Sequence, residues 1–186
     1  MRVFLVGFMA SGKSSVGRAL ALRLGVPFSD LDAEVEAAAG STVREIFAEQ
    51  GEAGFRSREQ RALTELLDRP GDRVIALGGG TPVQPGCAAL LAAAQGVSVW
   101  LDAPWETVAA RVRASGSATR PLFADEAAAR RLYDERRPVY AASDLRYQPQ
   151  PGERAEVAAG RLVALLAAEG LIAGGAAGGA ANGAAR

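Results

Sequence analysis

The chain reads as an α/β protein built on a parallel sheet covered by helices on both faces, and three features of the sequence predict it. Short apolar runs alternate with stretches of helical periodicity along the chain. The first run, residues 3–6, passes into Gly7-Phe8-Met9-Ala10-Ser11-Gly12-Lys13-Ser14, which fits G-x-x-x-x-G-K-[ST] at every fixed position. Two later runs end in Asp30-Leu31-Asp32 and in Gly78-Gly79-Gly80, and in open α/β sheets the carboxyl ends of the strands line the ligand crevice.

The elements follow in order. Residues 3–6 form a buried strand that ends at Gly7. Val16, Leu20 and Leu24 recur at helical spacing, and Gly25 closes that helix. Val26-Pro27-Phe28 predicts a second strand, and residues 33–39 a helix ended by Gly40. Thr42-Val43-Arg44-Glu45 is a capping box that opens the next helix, with Ile46 and Phe47 on its apolar side. Further strands are expected at 73–77, 97–101 and 145–148, with helices near 86–95, 104–114, 124–136 and 153–169. Beyond residue 170 the chain turns to Gly/Ala repeats, too poor in side-chain area to offset their ordering entropy, so 171–186 is expected to be a disordered tail.

Composition bounds the chemistry. The chain has 186 residues, enough for one core, and 49% of them are hydrophobic, which rules out a mostly disordered protein. Lys+Arg and Asp+Glu both number 21, so the basic excess of a nucleic-acid binder is missing. Cys87 is the one cysteine, unable to form an internal disulfide, as suits a reducing cytoplasm. Histidine is absent, which removes Ser-His-Asp and Cys-His catalysis and HExxH zinc sites. Lys13 is the sole lysine among 21 basic residues, marking a place where a compact point charge is wanted rather than a planar fork. The N-terminal apolar run leads straight into the Gly-Lys-Ser loop rather than into a cleavage region, so it does not read as a signal peptide, and no other stretch reads as a membrane span. A soluble, cytoplasmic protein is expected.

In the loop of residues 7–14, backbone amides and the positive end of the following helix would surround α/β-phosphates. Lys13 would reach the β/γ oxygens, and the Ser14 hydroxyl would ligate Mg²⁺. Asp30 and Asp32, two apart at an extended strand end, would point the same way. One could hold the metal through water and the other orient or deprotonate an acceptor hydroxyl; alternatively, Asp32 caps the helix that begins at Ala33. Three consecutive glycines at 78–80 permit close backbone approach to a ligand, where a plain turn needs only one. Phe55-Arg56-Ser57-Arg58-Glu59 and Glu135-Arg136-Arg137-Pro138 carry guanidinium forks that match a carboxylate, although either cluster also reads as solvated helix surface. Arg120, on a loop over 117–122 preceded by Gly116, could neutralise transition-state charge or be an incidental connector residue.

These segments in this order resemble the shikimate kinase family: GFMASGKSS, FSDLDAEVE, GSTVREIFAEQGEAGFRSRE, VIALGGGTPV, TRPL and ERRPVY, spread over most of residues 1–140. Residues 28–59 are the most specific part, because a generic P-loop kinase does not carry them. The resemblance implies a three-layer P-loop kinase domain over 1–170, its five-stranded parallel sheet in the order 2-3-1-4-5. It also implies an acceptor-binding subdomain at about 31–61 and a mobile lid at about 114–124. The implied reaction moves the γ-phosphoryl group of MgATP onto the 3-hydroxyl of shikimate, on the way to chorismate and the aromatic amino acids, by a monomer.

By the same resemblance Ala10, Ser11, Gly12, Lys13, Ser14 and Ser15 bind ATP, with Ser14 on Mg²⁺ and Asp30 holding the metal through water. Asp32 binds the shikimate hydroxyls and is the candidate base. Arg56 and Arg136 clamp the carboxylate, Gly79 meets the acceptor through its backbone, and Arg120 is the lid arginine over ATP. The segment 147–152 departs from the family's adenine loop, so no residue is carried from it, and the choice between Arg111 and Arg113 over adenine stays open.

Overall fold

The computed structural model describes residues 1–114 and 125–172. Its elements are β1 (Arg2–Val6), α1 (Lys13–Leu24), β2 (Phe28–Asp30), α2 (Leu31–Ala39), α3 (Val43–Asp68), β3 (Arg73–Ala76), a 3₁₀ turn (Thr81–Val83), α4 (Cys87–Ala93), β4 (Gly96–Leu101), α5 (Trp105–Ala114), α6 (Glu126–Tyr140), β5 (Leu145–Tyr147) and α7 (Ala155–Ala168). The five strands are parallel in the order β2-β3-β1-β4-β5, the order the family resemblance implies.

Side chains alternate across a strand, and in β1 both faces are covered, so the run Val3-Phe4-Leu5-Val6 is apolar throughout. Phe4 and Val6 join Ile75, Leu77 and Trp100 beneath α2–α6, whereas Val3 and Leu5 join Val74, Val97, Val99 and Leu101 beneath α1 and α7. Two apolar layers thus clamp one sheet. Gly17 makes the α1 contact possible, because a Cβ there would stand 2.5 Å from the Phe28 ring.

Several boundaries differ from expectation for identifiable reasons. The second strand lies at Phe28–Asp30, two residues later than the expected 26–28; pairing opens at the Pro27 carbonyl, which accepts from Val74, and proline has no N–H to give the ladder. Helix α2 begins at Leu31, because Asp30 and not Asp32 is its N-cap, its side chain accepting from the Asp32 N–H. Asp32 therefore sits in the first helical turn, not at an extended strand end.

Thr42 forms the expected capping box with Glu45. The helix it opens runs to Asp68, with one break at Gly51, whose φ of 66° only glycine adopts freely. Helix α6 continues four residues past the expected end at 136, through Pro138, to bury Tyr140. Ile172 still packs against the α1/α7 layer, so the body extends slightly past the expected limit at 170. Residues 115–124, which include Arg120 and nearly all of the lid expected at about 114–124, and residues 173–186 lie outside the described residues.

Candidate active site

Four strand ends build the site. The loop between β1 and α1 turns through Gly7 (φ 143°), Ala10 (φ 58°) and Gly12 (φ 105°). A Cβ on Gly7 would stand 2.8 Å from the Leu101 carbonyl, so only glycine lets the loop settle against the end of β4. Lys13 is buried and folds back to donate to the carbonyls of Gly7 (2.8 Å) and Phe8 (2.9 Å). Helix α1 has no side-chain cap and no acidic residue in its first turn, which leaves the positive end of its dipole facing the cleft. The Ser11 hydroxyl is buried in the loop without a hydrogen-bond partner in the described structure.

Ser14 donates from Oγ to Asp30 Oδ2 at 2.5 Å. A hydroxyl and a carboxylate side by side at the mouth of an amide-rich loop are the hard oxygen donors that suit Mg²⁺. Among the described residues no group of three or more His, Cys, Asp or Glu gathers as a metal cluster. These residues form part of the wall of a cleft of about 580 Å³, together with Ala10, Gly12, Lys13, Ser15, Asp32, Gly79 and Arg111.

Asp32 touches the open water of the cleft, yet protein walls hem it in closely. The lost hydration pushes its carboxyl from 3.8 up to about 6; Lys13 pulls it down, while Asp30, Glu59 and Glu36 add to the rise. A Cβ on Gly78 would stand 2.6 Å from Glu59 Oε1, 2.8 Å from Thr81 Oγ1 and 3.0 Å from Asp32 Oδ1. The first glycine of the triplet thus makes room for three polar side chains from three elements.

Gly80 does the same for Arg56, since a Cβ there would lie 2.3 Å from its Nη2. Arg56 donates from Nη1 to Glu59 Oε2 (2.8 Å), and Thr81 Oγ1 donates to Glu59 Oε1 (2.7 Å). Glu59 is fully buried, and with Oε1 held by Thr81 its Oε2 is fixed where it accepts from the guanidinium. Gly79 rests on the phosphate loop, its Cβ position 3.3 Å from Met9 N, and its carbonyl accepts from the Tyr140 hydroxyl at 2.5 Å. That hydroxyl lies beside the Arg136 guanidinium and within the field of Arg56; burial nevertheless raises it to about 12, so it stays a neutral donor. Asp32, Arg56, Gly79 and Arg136 therefore gather around one glycine turn, next to Lys13.

Arg111 donates to the carbonyls of Ala10 (3.0 Å) and Ser11 (2.9 Å) and lines the cleft, whereas Arg113 pairs with Glu126 on the surface. Of the two arginines the sequence left open, Arg111 is the one that lines the cleft. Sequence reasoning missed Glu59, Thr81, Tyr140 and Glu153. Glu59 and Tyr140 lay inside the segments FRSRE and ERRPVY, and the three-residue spacing of Arg56 and Glu59 on a helix could have signalled their pairing. Glu153, a half-buried residue of the cleft wall whose carboxylate is enclosed, accepts from the Tyr147 hydroxyl (2.7 Å) and sits 2.8 Å from Arg161, close enough for an ion pair. Nothing local in the sequence marked it.

The comparisons agree with this geometry. The family model described as shikimate kinase matches residues 9–167. A shikimate kinase of Bradyrhizobium diazoefficiens is 47% identical over 146 residues, 77% of this chain and 69% of the relative. One from Brucella canis is 40% identical over 169 residues, covering 89% and 82%. A solved structure of the Acinetobacter baumannii shikimate kinase in complex with shikimate superposes with a TM-score of 0.84 at 34% identity, covering 92% of this chain and 95% of that one. A loop fit for phosphates, two guanidinium groups around the glycine turn beside it and a match across most of the chain lead to one conclusion: the chain belongs to the shikimate kinase family.

Proposed function

We propose that the chain transfers the γ-phosphoryl group of ATP to the 3-hydroxyl of shikimate, and that Asp32, Arg56, Gly79 and Arg136 form the acceptor site. The observation that carries this reading is the raised, cleft-facing Asp32 carboxyl standing between the phosphate loop and the two guanidinium groups. Shikimate is a ring alcohol that bears one carboxylate. The two arginines supply the cationic wall for the acid, and Asp32 faces the alcohol.

Each residue then has a role set by its chemistry. The loop amides and Lys13 bind the phosphates and offset charge that develops on the transferred group. Asp32 orients the hydroxyl and accepts its proton as the oxygen–phosphorus bond forms, and a pKa near 6 keeps it ionised at neutral pH while remaining close enough to be a useful base. Glu59 and Thr81 hold Arg56 so that little side-chain freedom is lost when the acid docks. Mg²⁺ would be held by Ser14 and, through water, by Asp30, and when bound it would neutralise phosphate charge. Arg111 would flank the base of the nucleotide. Arg120 is assigned its charge-neutralising role by family resemblance alone. No helix among the described residues is long and apolar enough to cross a membrane, and we assign the chain to the cytoplasm as a monomer, with residues of about 31–61, α2 and most of α3, as its acceptor-binding subdomain.

Two other readings make different predictions. A gluconate-type kinase would share the phosphate loop and accept an open-chain hydroxy acid, and a nucleotide switch would turn over ATP without regard to any small acceptor. An ADP-release assay with shikimate, gluconate and nucleoside monophosphates separates all three. Turnover stimulated by shikimate alone is expected, and equal rates with gluconate or with no acceptor would overturn the proposal.

A further inference from the structure

We infer that Asp102 is a positioning residue for the acceptor site: its buried carboxylate grips Arg137 and thereby sets the last turn of α6, which carries Arg136 and Tyr140. The inference rests on the proposed role of Arg136 as a clamp for the acceptor's acid group.

Asp102 is the first residue after β4, 3% exposed, and it accepts from two guanidinium groups. Arg137 donates from Nη1 at 2.7 Å and Nη2 at 3.3 Å, and Arg146 on β5 donates from Nε at 2.9 Å and Nη2 at 2.5 Å. Both guanidinium groups also stack on the Trp100 ring, at 5.0 and 5.1 Å. Arg137 donates in addition to the Tyr133 hydroxyl (2.7 Å), which itself donates to the Ala103 carbonyl (2.9 Å). A planar fork held by bidentate bonds and by stacking has one orientation, which a flexible ammonium would not have.

The reason this anchor matters lies in Pro138. Proline has no N–H to return to the carbonyl four residues earlier, so the turn that carries Arg136 and Tyr140 lacks one helical bond. That turn is held from outside: by Arg137 on Asp102 at one end, and by the Tyr140 hydroxyl on the Gly79 carbonyl at the other. Loss of the first tie removes the charged anchor of that turn and leaves the hydroxyl of Tyr140, beside Arg136, as the turn's remaining hydrogen bond to the glycine triplet. The phosphate loop does not depend on the tie in the same way, because Phe8 is itself buried and Gly7 packs on the Leu101 carbonyl through backbone contact.

Steady-state kinetics on Asp102→Asn, Arg137→Gln, the double variant and Arg136→Ala test the inference. The two single variants are each expected to raise the shikimate KM ~10-fold, as a small misplacement of a binding group does, with the ATP KM and kcat within about twofold. The double variant is expected to match the worse single one, because both changes cut one link. Should Asp102→Asn fail to fold, Arg137→Gln, which leaves Asp102 paired with Arg146, carries the test alone. An unchanged shikimate KM, or a parallel rise in both KM values, overturns the inference. Arg136→Ala with raised shikimate KM beside unaffected Asp102→Asn and Arg137→Gln sinks the positioning role alone; unaffected Arg136→Ala sinks the clamp reading and this inference with it.

Discussion

Ser14 and Asp30 share a hydroxyl-to-carboxylate hydrogen bond of 2.5 Å that ties the first turn of α1 to the end of β2. The same Asp30 carboxylate caps α2 by accepting from the Asp32 N–H, so one side chain serves both the proposed metal position and the helix that presents the base. Asp30→Asn keeps a capping oxygen but loses the charge. The expected outcome is a ~10–100-fold rise in the Mg²⁺ concentration for half-maximal rate, with little loss of stability, read by metal titration of activity beside thermal melting.

The Asp32 carboxyl, raised to about 6, fixes the sign of two pH effects. As a base it works only when ionised, so kcat/KM for shikimate falls with unit slope as pH drops through about 6. Asp32→Asn is expected to lose ~10²–10⁴ in kcat and the acid limb with it. For stability the direction is opposite. A carboxyl whose pKa is raised on folding favours the fold below its unfolded value and forfeits that advantage as pH climbs through 6. The ligand-free Asp32→Asn protein should therefore melt higher than the parent at pH 7, and the gain should vanish near pH 4.

Arg56→Ala removes the guanidinium and strands a buried carboxylate. The shikimate KM is expected to rise well beyond the ATP KM, with a smaller change in kcat, because an acid group remote from the reacting atoms gives largely uniform binding. Stability should fall by roughly 3 kcal/mol, since Glu59 is left with only Thr81. Arg56→Ala/Glu59→Gln should recover much of that stability and none of the affinity, as urea unfolding and kinetics on both variants would reveal.

Glycine substitutions separate catalytic room from ordinary packing. Gly80→Ala would place a methyl group 2.3 Å from Arg56 Nη2 and should raise the shikimate KM by an order of magnitude or more through displacement of the fork. Gly160→Ala in α7 meets nothing closer than 3.6 Å and should stabilise the protein by about 0.5–1 kcal/mol with activity unchanged. A destabilised Gly160→Ala protein would contradict the packing described for α7.

The sheet and the phosphate loop were legible because their signals are local. An apolar run buried on both faces, a fixed glycine-lysine-serine spacing and a capping box each act within a few residues. The helix boundary at Pro138 was misjudged because burial of Tyr140 outweighs the lost backbone bond, and no local rule contains that tertiary gain. The sequence offers Asp32 as one possible cap of α2, but Asp30 fills it, since strand pairing with β3 extends β2 to residue 30. Asp32, Arg56, Gly79 and Arg136 were named through family resemblance, and their local context left each ambiguous. What gives Arg56 and Asp32 their surroundings is Glu59 and Thr81, which meet only where α3 crosses the glycine turn.

Because Lys13 is the sole lysine and its ammonium is committed to the Gly7 and Phe8 carbonyls, the protein carries its own spectroscopic address. Growth on lysine enriched with ¹⁵N at Nζ would yield a single side-chain ammonium resonance, from the loop proposed to bind the nucleotide's phosphates. Acylating reagents would find one side-chain amine in the molecule, so nucleotide occupancy could be followed by mass spectrometry without any engineered label.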